Sequence, residues 1–485
     1  MQKSITKNFV LSTAYQVLVL ITPFITAPYV ARVLGVEGVG VYSYTNSIQM
    51  YFSMFAALGT VTYGAREISR AREDKKAFTK LFWEIEILTC ITTLVCVLTW
   101  ALWILLAKKY NYYYLIWTLN IIAVAFDISW FYTGLEEFKY IVTQNGIFKI
   151  LGILAIFISV KKTSDIGIYI GIMASVILLG NASMWIYLPK FLVKIKKSDL
   201  SVLRHFKETF VYFIPTIATS IYTVLDKTLI GFITNSESEN GYYEQATKII
   251  NMAKAVTFNS LNAVLGTRIS FLFAQGKDGE IKERLSNSMN YILFFGIGIC
   301  FGLIAVSQQF VPIFFGKGYE KTGFLLQLMG PLVVIVGISN CLGFQYYNPA
   351  GLRKKSTKYI IIGAFANLLF NLLLIPILKS VGAVIGTIIA EGTITILYMH
   401  NCNGYYTYQQ LFHSGLKKLF AGIVMCSSLL IINGYFEGGI VGLIVKVIIG
   451  VVIYCSILYV SKDEFISIYG LKIIKKIIRR GTEHA

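Results

Sequence analysis

Charged side chains placed inside otherwise apolar stretches are where this sequence has chemistry to offer: Asp127, Lys149, Asp226, Lys227, Lys248, Lys254, Glu391 and Lys446. A charge at the centre of a bilayer costs roughly 2.5–3.5 kcal/mol on insertion scales, so each of these needs a partner ion, a hydrogen bond or water. The lysines offer cations to an anionic group. Lys149 and Lys227 come from different halves of the chain and could meet from opposite sides; the alternative is a structural ion pair, such as Asp226 with a lysine of a neighbouring helix. Lys248 and Lys254 are six positions apart, about 120° beyond whole turns of a helix, and cannot point at the same spot. Lys248 is assigned to the interior. Arg32, at the end of the first apolar run, either faces a cavity mouth or snorkels to the interface. Lys446, far downstream, reads as local or accessory.

A second group carries oxygen. Asn367 and Asn371 are spaced i, i+4 and share a helical face, as do Thr387 and Glu391. Together with Asp226 they offer the several oxygen ligands that a hard cation takes. The plainer reading is polar glue between packed helices, worth about 0.6 kcal/mol per hydrogen bond. Glu391 is also a candidate proton carrier. Arg66, beside Glu67, and Arg268, following Gly266, sit at corresponding helix ends, where they would form gate salt bridges or first contacts for an anionic headgroup; topology alone also accounts for them. No Walker A, GxSxG or HExxH motif is present, so the chain reads as no enzyme and any uphill work would draw on a sodium or proton gradient, the membrane potential or downstream consumption.

The elements that must position these groups are membrane helices. Of 485 residues, 56% are hydrophobic and only 14% charged, with a mean hydropathy of +0.65, far from the soluble mix of about 25% charged. Apolar runs of about 20 residues, the length that spans roughly 30 Å of hydrocarbon, recur from end to end. The expected helices cover approximately 8–31, 39–64, 81–106, 111–133, 141–160, 166–189, 208–233, 241–272, 288–314, 323–347, 358–378, 381–400, 417–436 and 438–460, about fourteen in all. The net charge of +19 does not call for a nucleic-acid partner, because Lys and Arg alternate between loops instead of lining one face. Clusters at Arg66–Lys80, Lys190–Lys207 and Arg353–Lys358, with a basic tail, put both termini in the cytoplasm. The N-terminal stretch is too long for a signal-peptide core and reads as an uncleaved first helix. The seven cysteines form no CxxC pair and the four histidines are scattered, so neither a disulfide framework nor a bound metal is expected.

The two halves echo each other. Gly40-Val41-Tyr42 returns as Gly241-Tyr242-Tyr243, Gly64-Ala65-Arg66-Glu67-Ile68-Ser69 as Gly266-Thr267-Arg268-Ile269-Ser270, Gly134-Leu135 as Gly351-Leu352, and Gly167-xxx-Gly171 as Gly382-xxx-Gly386, in the same order. Six helices separate equivalent positions, so the repeat is parallel. The expected architecture is all-α: an N-terminal six-helix lobe over 1–207, a C-terminal six-helix lobe over 208–400, a central cavity between them, two accessory helices over 401–461 and a basic tail over 462–485.

Several blocks carry a resemblance. Thr26-Ala-Pro-Tyr-Val-Ala-Arg32-Val-Leu-Gly-Val-Glu-Gly-Val-Gly-Val-Tyr42, Leu58-Gly59, Tyr63-Gly64-Ala65-Arg66-Glu67-Ile68, Trp130-Phe-Tyr-Thr-Gly-Leu-Glu-Glu-Phe138, Asp226-Lys227, Gly241-Tyr-Tyr-Glu-Gln-Ala246 and Gly343-Phe-Gln-Tyr346 resemble, in order, the Wzx-type polysaccharide flippases of the multidrug/oligosaccharidyl-lipid/polysaccharide exporter superfamily. The resemblance implies a bacterial plasma-membrane protein that flips undecaprenyl-diphosphate-linked repeat units by alternating access for O-antigen, capsule or a similar polymer, alongside membrane lipids, a polymerase and chain-length machinery. For such a substrate the pair Lys149 and Lys227, meeting across the cavity, would make a diphosphate clamp; the resemblance further implies that Asp226, Asn367, Asn371 and Thr387 are similar to a sodium site of the lipid II flippase branch, where Asn371 stands at a position often occupied by a carboxylate. A lipid II-type flippase and a multidrug cation antiporter of the same superfamily are the alternatives; an antiporter would want a more acidic cavity. A membrane-embedded glycan polymerase would carry a substantial external loop, and every external loop expected here is short.

Overall fold

The computed structural model describes residues 5–196, 198, 200–259, 268–432 and 439–467. Among these it is helical throughout its regular structure and divides into two compact units, Met1–Gly241 and Tyr242–Ala485. Among the described residues, eleven helices are long and apolar enough to cross a membrane. Their outer faces carry large apolar side chains in the open, among them Leu105 at 79% and Val460 at 80% exposure, a surface tolerated in lipid and not in water.

The count of eleven differs from the expected fourteen at identifiable places. The span Val17–Ala71 takes in both of the first two expected helices, because the loop expected near 32–38 is instead a one-residue break. Helix α1, Ile5–Ala57, is two helical stretches joined across a kink at Gly35, at φ 70° and ψ 178°, a conformation that glycine alone adopts without strain, so the break lies between the two expected helices. The expected seventh helix corresponds to a helix over Arg204–Thr234 that is not among the eleven spans. The expected eighth begins in Glu237–Lys254 and passes a π-turn over Ala255–Asn259; the remainder of its expected length, with Gly266, crosses 260–267, outside the described residues.

In the first unit α1 is followed by α2 (Thr60–Ala71), α3 (Lys75–Leu106), α4 (Asn111–Ile122), α5 (Ser129–Gly134), α6 (Phe138–Ser159), α7 (Ile166–Met184), α8 (Arg204–Thr234) and the start of α9 (Glu237–Lys254). Helix α3 starts where Asp74 accepts hydrogen bonds from the amides of Lys76 and Ala77, satisfying two donors that a helix start leaves open. The expected helix over 111–133 is interrupted by a 3-10 turn at Ala123–Phe126. Asp127 then accepts from the Ser129 amide at 3.0 Å and starts α5, so this charge serves a chain break and not a helix interior. Two of the sequence blocks pack on one another here: Gly64 of α2 leaves room for the Trp130 ring of α5, which a Cβ would meet at 2.4 Å.

The repeat echo at Gly40 and Gly241 has a structural counterpart within this unit. A Cβ on Gly40 would lie 1.7 Å from the Glu237 carbonyl oxygen, and one on Gly241 would lie 2.1 Å from that of Val36. Each glycine therefore faces the carbonyl four positions before the other. Backbones approach this closely only where both helices present hydrogen instead of a side chain.

The second unit holds the rest of α9, then α10 (Asp278–Phe315), α11 (Glu320–Leu342) continuing into a π-turn at Gly343–Tyr347, α12 (Arg353–Leu378), α13 (Ser380–His400), α14 (Tyr408–Ile431) and α15 (Gly439–Val460). Its core joins Leu285, Met289 and Ile292 of α10 to Tyr346, Tyr398, Met425 and Tyr454. Two lysines find structural partners inside it. Lys418 of α14 meets Asp463 at 2.8 Å with both side chains buried, and Lys446 of α15 donates to Gln309 of α10 at 2.6 Å.

Candidate functional site

The second unit assembles the amide and hydroxyl oxygens. Asn367 and Asn371, both fully buried, lie on one face of α12 as their spacing requires, and the Asn371 amide donates to Asn367 Oδ1 at 3.1 Å. Asn371 Oδ1 is thereby turned toward Gly386 of α13, where a Cβ would stand 2.5 Å from it. One residue on, the Thr387 hydroxyl donates to the Ala383 carbonyl at 2.9 Å and lies 3.5 Å from the hydroxyl of Tyr243. Glu391, 4% exposed, is one turn further along α13. Neutral oxygens of α12 and α13, with a carboxylate one turn along α13, are donors of the kind that a hard cation takes.

Asp226, the remaining expected ligand, belongs to the first unit and is 3% exposed on α8. Its neighbour Thr228 donates to Ser47 at 2.9 Å and approaches the Tyr51 hydroxyl at 3.2 Å, both on α1. The first unit also contains both lysines of the expected clamp, half-buried Lys149 on α6 and half-buried Lys227 on α8. Lys248 pairs along α9 with Glu244 at 3.4 Å, while Lys254 is half-buried at the end of that helix. Arg32 is exposed just before the Gly35 break. At the expected gate, Arg66 lies over the Tyr212 ring at 5.7 Å and Glu67 pairs with Arg70 one turn away at 3.1 Å; Arg268 is exposed.

A buried ionic node was not foreseen. Glu84, fully buried on α3, accepts from Arg204 at 2.5 Å, from His205 Nε2 at 2.9 Å and from the Ser201 amide at 2.6 Å. His205 Nδ1 faces the Tyr63 hydroxyl at 2.7 Å, and Arg204 Nε lies 3.2 Å from its Nε2. Two residues on, buried Glu86 takes the Cys90 thiol at 3.9 Å. The signal was available: two carboxylates, i and i+2, inside an apolar run. The node anchors the segment that leads from α7 into α8 to α2 and α3. Replacing Glu84 with alanine leaves the buried His205 and the Ser201 amide short of an acceptor, a loss of about 1–3 kcal/mol per group. Trypsin should then cut this segment, at Lys194 or Lys196, several-fold faster than in the wild type while the helices stay intact; an unchanged cleavage rate would show that Glu84 does not hold it.

With this geometry in view, comparison with known proteins places the chain. Residues 5–267 match the family described as polysaccharide biosynthesis protein. Over 402 residues the chain is 25% identical to a protein of Escherichia coli (strain K12) named for O-antigen transport, covering 82% of this chain and 96% of that one. In fold it is similar to the lipid II flippase MurJ in an inward closed conformation, with a TM-score of 0.74 at 16% identity over 95% of this chain and 100% of that one. An inward-facing multidrug resistance transporter of the MATE family gives 0.61 at 13% identity over 88% and 96%. At these identities the two structures show the fold alone, a multi-pass helical membrane architecture. Since the family match extends over more than half of its length, this chain belongs to the polysaccharide biosynthesis protein family.

Proposed function

We propose that the protein is a flippase that carries undecaprenyl-diphosphate-linked oligosaccharides from the cytoplasmic to the outer leaflet of a bacterial plasma membrane, with both termini in the cytoplasm, and delivers them for polymerisation into O-antigen, capsule or a related polymer. The observation that carries the reading is the placement of Lys149 and Lys227, half-buried in helices of the first unit, in a chain whose relative is named for O-antigen transport. A diphosphate and its sugars cannot enter hydrocarbon unaided, and cations on a low-dielectric path are what the diphosphate requires. Alternating access carries the headgroup across, and the neutral oxygens of Asn367, Asn371 and Thr387 with Glu391 supply the place where a sodium ion or proton couples to it. A cation antiporter is disfavoured by the same lysines, which would repel its substrates.

The test is translocation of a defined undecaprenyl-diphosphate oligosaccharide in proteoliposomes. Lys149→Ala and Lys227→Ala should each slow flipping at least tenfold, the loss of one charge-assisted contact of about 1.5–3 kcal/mol, with normal expression and folding. Folded wild-type protein that moves no lipid-linked glycan but exports small organic cations would replace this reading with the antiporter.

A further inference from the structure

The first unit has a second polar feature, at the end remote from the basic loops. A cavity of about 330 Å³ opens between the end of α3, the loop after it, and the turn that joins α8 to α9, at the lower end of the size range of small-ligand sites, roughly 300–1,000 Å³. Aromatic rings form its sides. Trp103 stands 6.3 Å from Tyr114, and Tyr110 meets Tyr44 edge-on at 5.8 Å and Tyr114 at 6.4 Å. Polar groups are set among them. The Tyr110 hydroxyl donates to Glu237 Oε1, which holds the Glu237 carboxyl below the usual carboxylate range, and the Lys109 ammonium lies 3.9 Å from the same oxygen.

Asn240 makes this more than a surface dent. It lines the cavity and is fully buried, yet neither its amide nitrogen nor its oxygen has a hydrogen-bond partner. A buried amide left in that state is costly and calls for a ligand's donors and acceptors. Gly231 keeps the space beside it: a Cβ there would lie 2.7 Å from Asn240 Nδ2 and 2.1 Å from the Tyr44 ring. Apolar ring faces, one unpaired amide, an ionised carboxylate and an ammonium within a volume suited to one small ligand form a chemistry that matches a pyranose, whose C–H face is apolar and whose hydroxyls each donate and accept.

We infer that this cavity is a saccharide site that holds one sugar unit of the glycan at the outer face, Asn240 and Glu237 pairing with its hydroxyls and the Trp103–Tyr110 side taking its ring. The inference rests on the flippase reading for its biological setting, since the loops 107–110 and 235–236 lie outside only in the proposed orientation. Binding itself is independent of transport. A saccharide arriving here would leave the membrane path on the side where polymerisation occurs, and its release would be a step separate from the crossing.

The experiment is titration of the full-length protein in nanodiscs with methyl glycosides of glucose, galactose and N-acetylglucosamine, read by tryptophan fluorescence and by saturation-transfer NMR. At least one glycoside should bind saturably, on the order of millimolar, with a fluorescence change absent in Trp103→Phe and with affinity at least tenfold weaker in Asn240→Leu. Asn240→Ser, which keeps a hydroxyl, should fall between them and guards against misfolding of the leucine variant. No saturable binding by any of the three glycosides, equal binding by wild type and Asn240→Leu, or binding of inorganic pyrophosphate in place of the sugars would overturn the assignment. Failure of flipping in proteoliposomes with sugar binding intact would instead count against the transport reading alone.

Discussion

Placing a single methyl group at Gly40 should destabilise the protein as much as placing one at Gly241, and placing both should do little more harm than either. The two glycines face each other's helices in a reciprocal crossing, with built Cβ atoms 1.7 Å and 2.1 Å from the Glu237 and Val36 carbonyl oxygens. Ordinary contact between carbon and oxygen needs well over 3 Å, so α1 and α9 must separate in either variant. Overpacking of this kind costs about 1–3 kcal/mol, and here it also removes the close backbone contact on which small-residue crossings depend. Once the helices have moved apart for one methyl, the second finds room already made. A double-mutant cycle on thermal unfolding of the detergent-solubilised protein should therefore show strong non-additivity, with a coupling of roughly the size of the single effects. Simple addition would mean that the two glycines act separately and that the echo in the sequence has no shared structural cause.

That echo illustrates what the sequence made legible. Equivalent glycines flag positions where two repeats need the same local geometry, and spacing within one helix places side chains reliably, as the shared face of Asn367 and Asn371 shows. Pairings between distant segments leave no such periodic mark. The Glu84 node draws on α2, α3 and the segment before α8, and the cavity beside Asn240 is closed by two loops more than a hundred residues apart. Neither follows from hydropathy. The break at Gly35 falls where hydropathy registers a polar dip, near 32–38, but hydropathy gives no sign that one positive-φ glycine makes it in place of a loop. Asp127 stood out as an intramembrane charge, yet its role is set by the 3-10 turn before it, a local backbone choice that apolar length conceals.

The oxygen set of the second unit yields the second large effect, and its sign separates a cation site from simple helix packing. Asn371→Asp keeps the shape of the side chain and adds a carboxylate beside Asn367 and Thr387. If a sodium ion visits these oxygens, the added charge strengthens its binding by about 1.5–3 kcal/mol, the usual gain of an ionised partner over a neutral one, which is roughly ten- to a hundredfold in affinity. Flipping should then respond to sodium at correspondingly lower concentration. Asn371→Leu, of similar volume, should abolish any sodium response and slow flipping at least tenfold while the α12–α13 packing holds. Polar packing alone predicts the opposite order. A buried carboxylate with no cation to meet is the more disruptive change, so the aspartate variant would be the less stable and less active of the two, and leucine would be tolerated. Measuring sodium dependence and melting temperature on the same two variants distinguishes the cases, because only a bound cation makes the aspartate both better folded in sodium than without it and more responsive to it.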